Sequence, residues 1–197
     1  MNVLIDMKNF FKKILTFILF LLLLPLFVWE RLPISEYSAY TAPSQLLAFI
    51  PGVFGIYIRR VWYKHTLKKC GKNLTVDWMA VLRTREAEIG DRCTFGVYSW
   101  IGWARVGSDV MTGSHVVLTS GSNQHSYGQF DKPMREQKGV KRRVDLGNDV
   151  WIGAHAIIMN DISDGSIVGA GSVVTKKFDS FQIVAGNPAV VIKKRSA

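Results

Sequence analysis

The stretch DVWIGAHAIIMNDISDGSIVGAGSVVTK, Asp149–Lys176, contains the repeat that decides the fold of this chain. An aliphatic residue followed by glycine occurs at Ile152 and Val168, and the same pair stands just upstream at Leu146. A strand repeats every two residues and a helix every 3.6, so neither explains a spacing of six. A six-residue period needs a unit of one short strand and one turn, which is typical of a β-solenoid.

The repeat runs through most of the C-terminal two thirds of the chain. It begins weakly at Val76, becomes regular from Ile89, and ends near Phe178. We predict that each aliphatic starter points inward and that a small residue four positions later, such as Cys93, fills the corner of the core. Glycine, asparagine or aspartate is expected to supply the tight turn. Three hexapeptides form one triangular coil, so this stretch predicts roughly four to five coils.

One long segment, residues 120–143, interrupts the repeat. Loops beyond about 12–15 residues are uncommon in compact domains and are often functional. The segment contains the sequence SNQHSY, in which His125 is the histidine. It is therefore the first place to look for a functional site.

The net charge of +10 is unevenly distributed along the chain. Residues 59–72 carry six Lys or Arg and no acid, and residues 132–143 carry six more. Such runs suit phosphate-bearing ligands or an anionic bilayer, although a solvated surface explains them equally well. No nucleic-acid recognition module accompanies them, so nucleic acid is not expected as a partner.

The first 72 residues form a predicted membrane-anchoring helical region with two apolar segments, 14–29 and 45–63. The first segment has sixteen uncharged residues, close to the roughly 17 to 20 that a spanning helix needs. Basic residues flank both segments on their outer sides, which predicts that both outer ends lie in the cytoplasm. A hairpin or re-entrant anchor, an interfacial helix and a cleaved secretory signal remain open. In the first two, Trp62 and Tyr63 are expected at the level of the headgroups.

Several motifs together resemble a known family. The six-residue repeat, DVWIGAHAII, IVGAGSVVTK and the tail VAGNPAVVIKKR are similar to the hexapeptide-repeat acyltransferases, in particular the galactoside, nodulation and xenobiotic acetyltransferases and their polysaccharide O-acetyltransferase relatives. The similarity covers about residues 76–195. It implies a left-handed parallel β-helix over residues 73–197, a homotrimer with active sites between subunits, and acetyl-CoA as the acyl donor. It also implies that the loop 120–143 protrudes and is catalytic.

The resemblance assigns the general base to His125, since a neutral imidazole near pH 7 can accept a proton from the attacking group. Relatives often have asparagine directly before this histidine, whereas here Gln124 occupies that position and Asn123 the one before. Both amides, together with the outward-facing His115, are candidate substrate-binding residues.

The resemblance also implies a set of donor contacts, matched position by position. These cofactor-binding candidates are Trp151, Ala154, Ala170, Thr175, Lys176 and Lys193. At Val190 the chain departs from the pattern, because relatives usually have Lys or Arg there. Lys194 or Arg195 is a possible substitute for the missing phosphate contact.

The sequence therefore favours a membrane-associated O-acetyltransferase that acts on a saccharide or lipid-linked glycan at the cytoplasmic leaflet. An N-acyltransferase on an amino sugar and a non-catalytic membrane scaffold are the alternatives. A zinc hydratase on the same solenoid needs three converging histidines, and His115, His125 and His155 fit that spacing poorly. No metal is expected.

Overall fold

The computed structural model describes residues 2–196, with side chains from residue 10 onward. Its N-terminal part is helical: α1 (Asn2–Glu30), a π-helical turn (Tyr37–Thr41), α2 (Ala42–Ala48) and α3 (Gly52–Thr66). The strands follow from Lys69, slightly before the predicted boundary at residue 73.

The strands wind into a triangular solenoid, and each of its three faces is a sheet of parallel strands. Face 1 contains β1 (Lys69–Cys70), β4 (Glu88–Ile89), β7 (Ala104–Val106) and β10 (Val144–Leu146). Face 2 contains β2 (Thr75–Val76), β5 (Thr94–Phe95), β8 (Met111–Thr112), β11 (Trp151–Ile152), β13 (Ile167–Val168) and β15 (Gln182–Ala185). Face 3 contains β3 (Val81–Leu82), β6 (Trp100–Ile101), β9 (Val117–Leu118), β12 (Ile157–Ile158) and β14 (Val173–Val174). The last strand, β16 (Val190–Lys194), turns back antiparallel to β15.

The predicted solenoid is confirmed, but it is longer than the predicted four to five coils. Face 2 has a strand from each of six successive turns. The additional length lies at the two ends, where β1 precedes the first recognisable repeat and β15 follows the last. Terminal coils depart from the consensus because one side of each faces a cap instead of another coil.

The repeat has the expected core, and the prediction for its turns is confirmed in part. The starter Ile89 and the corner residue Cys93 are fully buried. The left-handed turn conformation falls on Gly165 and Gly171, as predicted, but also on residues such as Arg92, with φ of 56°. The glycines that directly follow the starters have a different role, because a Cβ added at Gly90 would lie 2.6 Å from the backbone of the next coil. These glycines are needed for the close approach of stacked coils.

The second apolar segment, 45–63, caps the open end of the solenoid. The side chain of Arg59 on α3 is fully buried and donates hydrogen bonds to the carbonyls of Val76 (2.8 Å), Leu47 (3.0 Å) and Ile50 (2.7 Å). Trp62 and Tyr63 are also fully buried, so their predicted position among lipid headgroups is wrong. The first coil would otherwise expose its apolar core to water, and this segment covers it.

Helix α1 packs on α3 from the outside. Its Phe27 ring stacks on Trp62 with 5.5 Å between centroids, and the Glu30 carboxylate pairs with Arg85 at 2.9 Å. Phe10–Glu30 is the one stretch of the described helices that is long and apolar enough to cross a membrane. The segment 45–63 is divided between α2 and α3 and does not meet that criterion.

Candidate active site

The loop 120–143 leaves the solenoid between β9 and β10 and folds back on itself as an ordered arm. His125 forms an antiparallel bridge with Lys138, and the Val140 amide donates to the Asn123 carbonyl at 2.8 Å. The buried Gln137 donates to the carbonyls of Gln129 (2.6 Å) and Lys132 (2.8 Å). These bonds satisfy the polar backbone of a loop that has little apolar core of its own.

His125 lies exposed on this arm, in a cavity of about 410 Å³. The cavity is formed by loop residues alone, among them Asn123, Ser126 and Tyr127. Within residues 10–196 the His125 imidazole has no hydrogen-bond partner, so no described side chain orients it. The cavity is open to solvent on one side.

A larger cavity of about 520 Å³ lies beside the loop, and the sequence did not predict it. Its walls are face 3 at Trp100, the segment after α1 at Glu36, and the base of the loop at Gln124 and Lys141. The residues Gln124 and His125 are adjacent in sequence but line different cavities.

Charged and aromatic groups of this larger cavity are held in place by neighbours. The Arg83 guanidinium lies 4.6 Å from the ring centroid of Trp100. The Glu36 carboxylate accepts a hydrogen bond of 2.6 Å from the Thr84 hydroxyl. Arg83 and Lys141 are balanced by Glu36 and Glu86, so the cavity is polar without a large net charge.

The predicted substrate contact His115 lies apart from His125. It occupies the corner between faces 2 and 3, in the left-handed conformation with φ of 59°. Its ring stacks on that of His155 in the following coil, with 4.6 Å between centroids, and on that of Tyr98 in the preceding coil, with 5.1 Å between centroids. His115 lines neither cavity. The common repeat register of these three residues was the signal that could have predicted the stack.

The predicted donor residues follow the outside of the later coils. Trp151 is 53% exposed on face 2, and Ala154 and Ala170 occupy equivalent positions in successive coils, each directly after a glycine. Thr175 and Lys176 follow β14 and are exposed.

The terminal hairpin continues this exposed strip. Lys193 pairs with Ile183 across β15 and β16 and is exposed. Arg195, one suggested substitute for the phosphate contact missing at Val190, donates to the Asp149 carboxylate at 2.8 Å and to the Gly165 carbonyl at 3.1 Å. Its guanidinium is thus already engaged, which leaves Lys194 as the better candidate.

In the part of the chain that the structure describes, no three His, Cys, Asp or Glu side chains are grouped to hold a metal ion. The one close histidine pair, His115 and His155, is a ring stack without a third ligand.

No family profile matches the chain. It is 52% identical over 52 residues to a chloramphenicol acetyltransferase from Agrobacterium fabrum, a match that covers 25% of each chain. The chain spans about a quarter to a third of the length of the curated relatives that it matches first.

Two solved structures share the fold. A maltose O-acetyltransferase from Clostridium difficile 630 superposes with a TM-score of 0.67 at 21% identity, covering 80% of this chain and 86% of that one. The N-acyltransferase AntD from Bacillus cereus, in complex with dTDP and 3-hydroxybutyryl-CoA, gives a TM-score of 0.54 at 21% identity, covering 68% and 86%.

The stacked triangular coils of six-residue repeats and the protruding loop define a hexapeptide-repeat β-solenoid protein. Its sequence relatives are named acetyltransferases and its structural relatives are acetyl- and acyltransferases. The predicted resemblance is confirmed: the matched segments are similar to acetyltransferases in sequence, and the fold is the left-handed β-helix of hexapeptide-repeat proteins.

Proposed function

We propose that this protein is a membrane-associated O-acetyltransferase that moves an acetyl group from acetyl-CoA to a hydroxyl of a saccharide or lipid-linked glycan. Residues 1–72 are the anchoring region and residues 73–197 the catalytic domain, on the cytoplasmic side of the membrane. The main support is His125, an unpartnered imidazole on an ordered arm that protrudes from a solenoid related to acetyltransferases.

In the proposed reaction His125 accepts the proton of the acceptor hydroxyl while the oxygen of that hydroxyl attacks the thioester carbonyl. The new C–O bond forms, the C–S bond breaks, and the imidazolium returns the proton to the leaving thiolate. General-base catalysis of this kind contributes about 10²–10⁴-fold to the rate. The Asn123 side chain lines the same cavity and can contact the reacting groups.

The open side of the His125 cavity supports a homotrimer with the site between subunits. Face 1 is charged on its outer side and carries ion pairs such as Arg105–Asp145 (2.6 Å) and Lys68–Glu88 (2.9 Å). Faces 2 and 3 instead each carry a column of apolar side chains on the outer side. These side chains are Met111, Trp151, Ile167 and Ile183 on face 2 and Ile157 and Val173 on face 3. Two apolar faces on each copy suit two neighbours, as in a closed cyclic trimer.

The exposed strip from Trp151 to Lys193 is the proposed binding path of the donor. Trp151 offers an uncovered ring to the pantetheine arm, and Ala154 and Ala170 leave the backbone accessible. Lys176, Lys193 and Lys194 have no carboxylate partner within the described residues, so their charge is available for the phosphates.

The larger cavity is the proposed acceptor site. It has aromatic, amide, carboxylate and cationic groups within about 520 Å³, a mixture that suits a hydroxyl-rich ring. Gln124 lines this cavity, and the next residue, His125, is the proposed base in the adjacent loop cavity. Glu36 and Tyr37 in the wall of the larger cavity follow the proposed anchoring helix α1 closely in the chain. The acceptor would therefore bind close to the membrane.

The N-acyltransferase alternative is favoured by one observation, the structural likeness to AntD. The same base serves an amine acceptor, so the geometry of His125 does not separate the two. A scaffold without activity would bind no acetyl-CoA.

The deciding experiment incubates the full-length protein with labelled acetyl-CoA and native membrane extract and identifies the labelled product. Hydroxylamine releases the label from an ester but not from an amide. His125→Ala should reduce labelling by about 10²-fold or more without changing oligomeric state. Phe130→Ala, a fully exposed residue of the same loop, is the matched control. Unchanged turnover in His125→Ala would remove this residue from the mechanism, and no acetyl-CoA binding would favour the scaffold.

A further inference from the structure

Helix α1 is attached to the body of the protein along its C-terminal half. Leu19, Leu23 and Phe27 form a buried stripe at a spacing of four residues. Within this half the Phe20 ring lies 4.9 Å from His65 of α3. The Glu30 carboxylate closes the contact through its ion pair with Arg85 on the solenoid.

This attachment is incompatible with a membrane crossing. The hydrocarbon core is about 30 Å thick and needs about 20 residues of helix. The apolar stretch Phe10–Glu30 has 21 residues, but from Leu19 onward it packs on α3, which in turn packs on the first coil. A bilayer around this half would have to take in charged groups such as Lys64 and Arg85. The free part of α1, residues 2–18, is about 25 Å long, and it contains the charged residues Asp6, Lys8, Lys12 and Lys13.

The other side of α1 is an uninterrupted apolar surface, which we call the outer face. Its members are Phe10, Phe11, Ile14, Phe17, Ile18, Leu21, Leu22, Leu24, Pro25, Val28 and Trp29. All of these except Pro25 are large side chains exposed by 40 to 66%. The outer face carries no charge over about 30 Å of helix. Lys12 stands seven residues before Leu19, so it lies on the inner side of the helix.

We propose that α1 lies in the plane of the membrane, with its outer face inserted in the cytoplasmic leaflet and the solenoid attached to its inner side. This inference rests on the membrane association in the proposed function and specifies its geometry as monotopic. Lys13, at the border of the outer face, and Arg31, at the other end of the helix, supply positive charge for anionic headgroups.

A second copy of the chain is a poorer occupant of the outer face. Protein interfaces contain about one hydrogen bond per 100–200 Å² and a polar rim that fixes the register. The outer face has one hydrogen-bonding side chain, Trp29, whose indole N–H already donates to the Ser38 carbonyl at 3.0 Å. A leaflet requires no such register.

The in-plane geometry also has a consequence for the acceptor. Glu36 and Tyr37, in the wall of the larger cavity, follow α1 by six and seven residues. The cavity is therefore near the headgroups when α1 is inserted. A saccharide carried on a lipid would reach it without leaving the membrane.

The first test measures on which side of the membrane three positions lie. Variants that each add one cysteine to the native Cys70 and Cys93, namely Asn2→Cys, Pro33→Cys and Ser122→Cys of the full-length protein, are treated with a membrane-impermeant maleimide in right-side-out and in inverted vesicles. All three should react only in inverted vesicles, above the background of the unsubstituted protein. Reaction of Asn2→Cys from the outside would show a single crossing, and reaction of Pro33→Cys from the outside would show a hairpin. Either result overturns the in-plane geometry but keeps membrane association, whereas a protein found in the soluble fraction overturns both.

The second test measures binding of the purified full-length protein to vesicles of equimolar phosphatidylcholine and phosphatidylglycerol. Phe17→Lys places a charge on the outer face and should lower the bound fraction about tenfold or more. Phe130→Lys makes the same exchange on the exposed loop and should bind as the unsubstituted protein does. Equal binding of the two variants would overturn the proposal. Dissociation of the oligomer in Phe17→Lys with vesicle binding unchanged would assign the outer face to a second copy and would overturn it as well.

Discussion

Replacement of Arg59 by leucine tests whether α3 is the cap that closes the solenoid. The guanidinium is fully buried and makes three bonds of 2.7 to 3.0 Å to the carbonyls of Val76, Leu47 and Ile50. Hydrogen bonds to a charged group are worth about 1.5–3 kcal/mol each, so the three together amount to about 4–9 kcal/mol. The leucine variant avoids the desolvation of a buried charge, which itself costs several kcal/mol. Subtracting a gain of about 1–4 kcal/mol for removing the buried charge from the value of the three bonds leaves an expected net loss of about 3–5 kcal/mol.

The assay is unfolding of the detergent-solubilised protein by denaturant and by heat. A loss of this size lowers Tm by about 6–20 °C, at about 2–4 °C for each kcal/mol in a chain of this size. The matched control is Arg60→Leu, the next residue, which makes one carbonyl bond of 2.6 Å to Leu74 at the half-buried edge of the same interface. The control should lose about 1 kcal/mol. A change in Arg59→Leu no larger than that of Arg60→Leu would refute the reasoning that the buried bonds stabilise the cap.

Three further predictions concern the donor, the acceptor and pH. Trp151→Ala should raise KM for acetyl-CoA about tenfold, because the contact between its ring and the bound pantetheine arm is lost, while Phe130→Ala on the exposed loop should change it little; a fall in kcat alone would contradict this. Lys141→Ala should raise KM for the acceptor about threefold and leave KM for the donor unchanged, and an unchanged acceptor KM would remove Lys141 from the site. Burial lowers the pKa of His65 from its usual 6.5, with Lys64 adding to the effect. The free energy of unfolding therefore has its full value above about pH 6.5, where His65 is neutral, and it decreases as pH falls toward the lower pKa of the folded state. Thermal unfolding should show less dependence on pH between 5 and 7 in His65→Phe, and identical pH profiles would contradict it.

The solenoid was predictable because one short period specifies the strand, the turn and the stacking together. Its starters, such as Ile89 and Ile152, are buried as their spacing required. The role of the glycines was harder to derive, since close approach between coils and a left-handed turn both favour glycine in a sequence. The structure distinguishes these two reasons for glycine, because an added Cβ at Gly90 meets the next coil although Gly90 itself has an ordinary φ.

The candidate site was predictable only in part. The length of the loop 120–143 and its histidine identified where the chain leaves the solenoid. The cavity beside it combines Glu36, Trp100 and Lys141, which are up to 105 residues apart in the chain. No local pattern reports such a long-range contact. The His115 stack likewise depends on the register of successive coils and not on neighbours in sequence.

Hydropathy could not distinguish a membrane segment from a cap in residues 45–63. The interior of a protein and the interior of a bilayer select the same apolar residues. The informative residue was Arg59, a charge within the last third of the apolar run, because a buried charge needs several partners. Leu47, Ile50 and Val76 provide those partners as backbone carbonyls, which a lipid chain does not.

The basic run 59–72 has a structural explanation that its charge alone did not indicate. The end of a parallel β-helix presents backbone carbonyls that no further coil can pair, the same problem as the edge of any sheet. Three cations of α3 reach these carbonyls: Arg59 binds Val76, Arg60 binds Leu74 at 2.6 Å, and Lys64 binds Cys70 at 2.7 Å. Their spacing of one to five residues places them on one side of a helix that lies across the first coil. Three of the six Lys and Arg side chains in this run therefore stabilise the chain's own backbone.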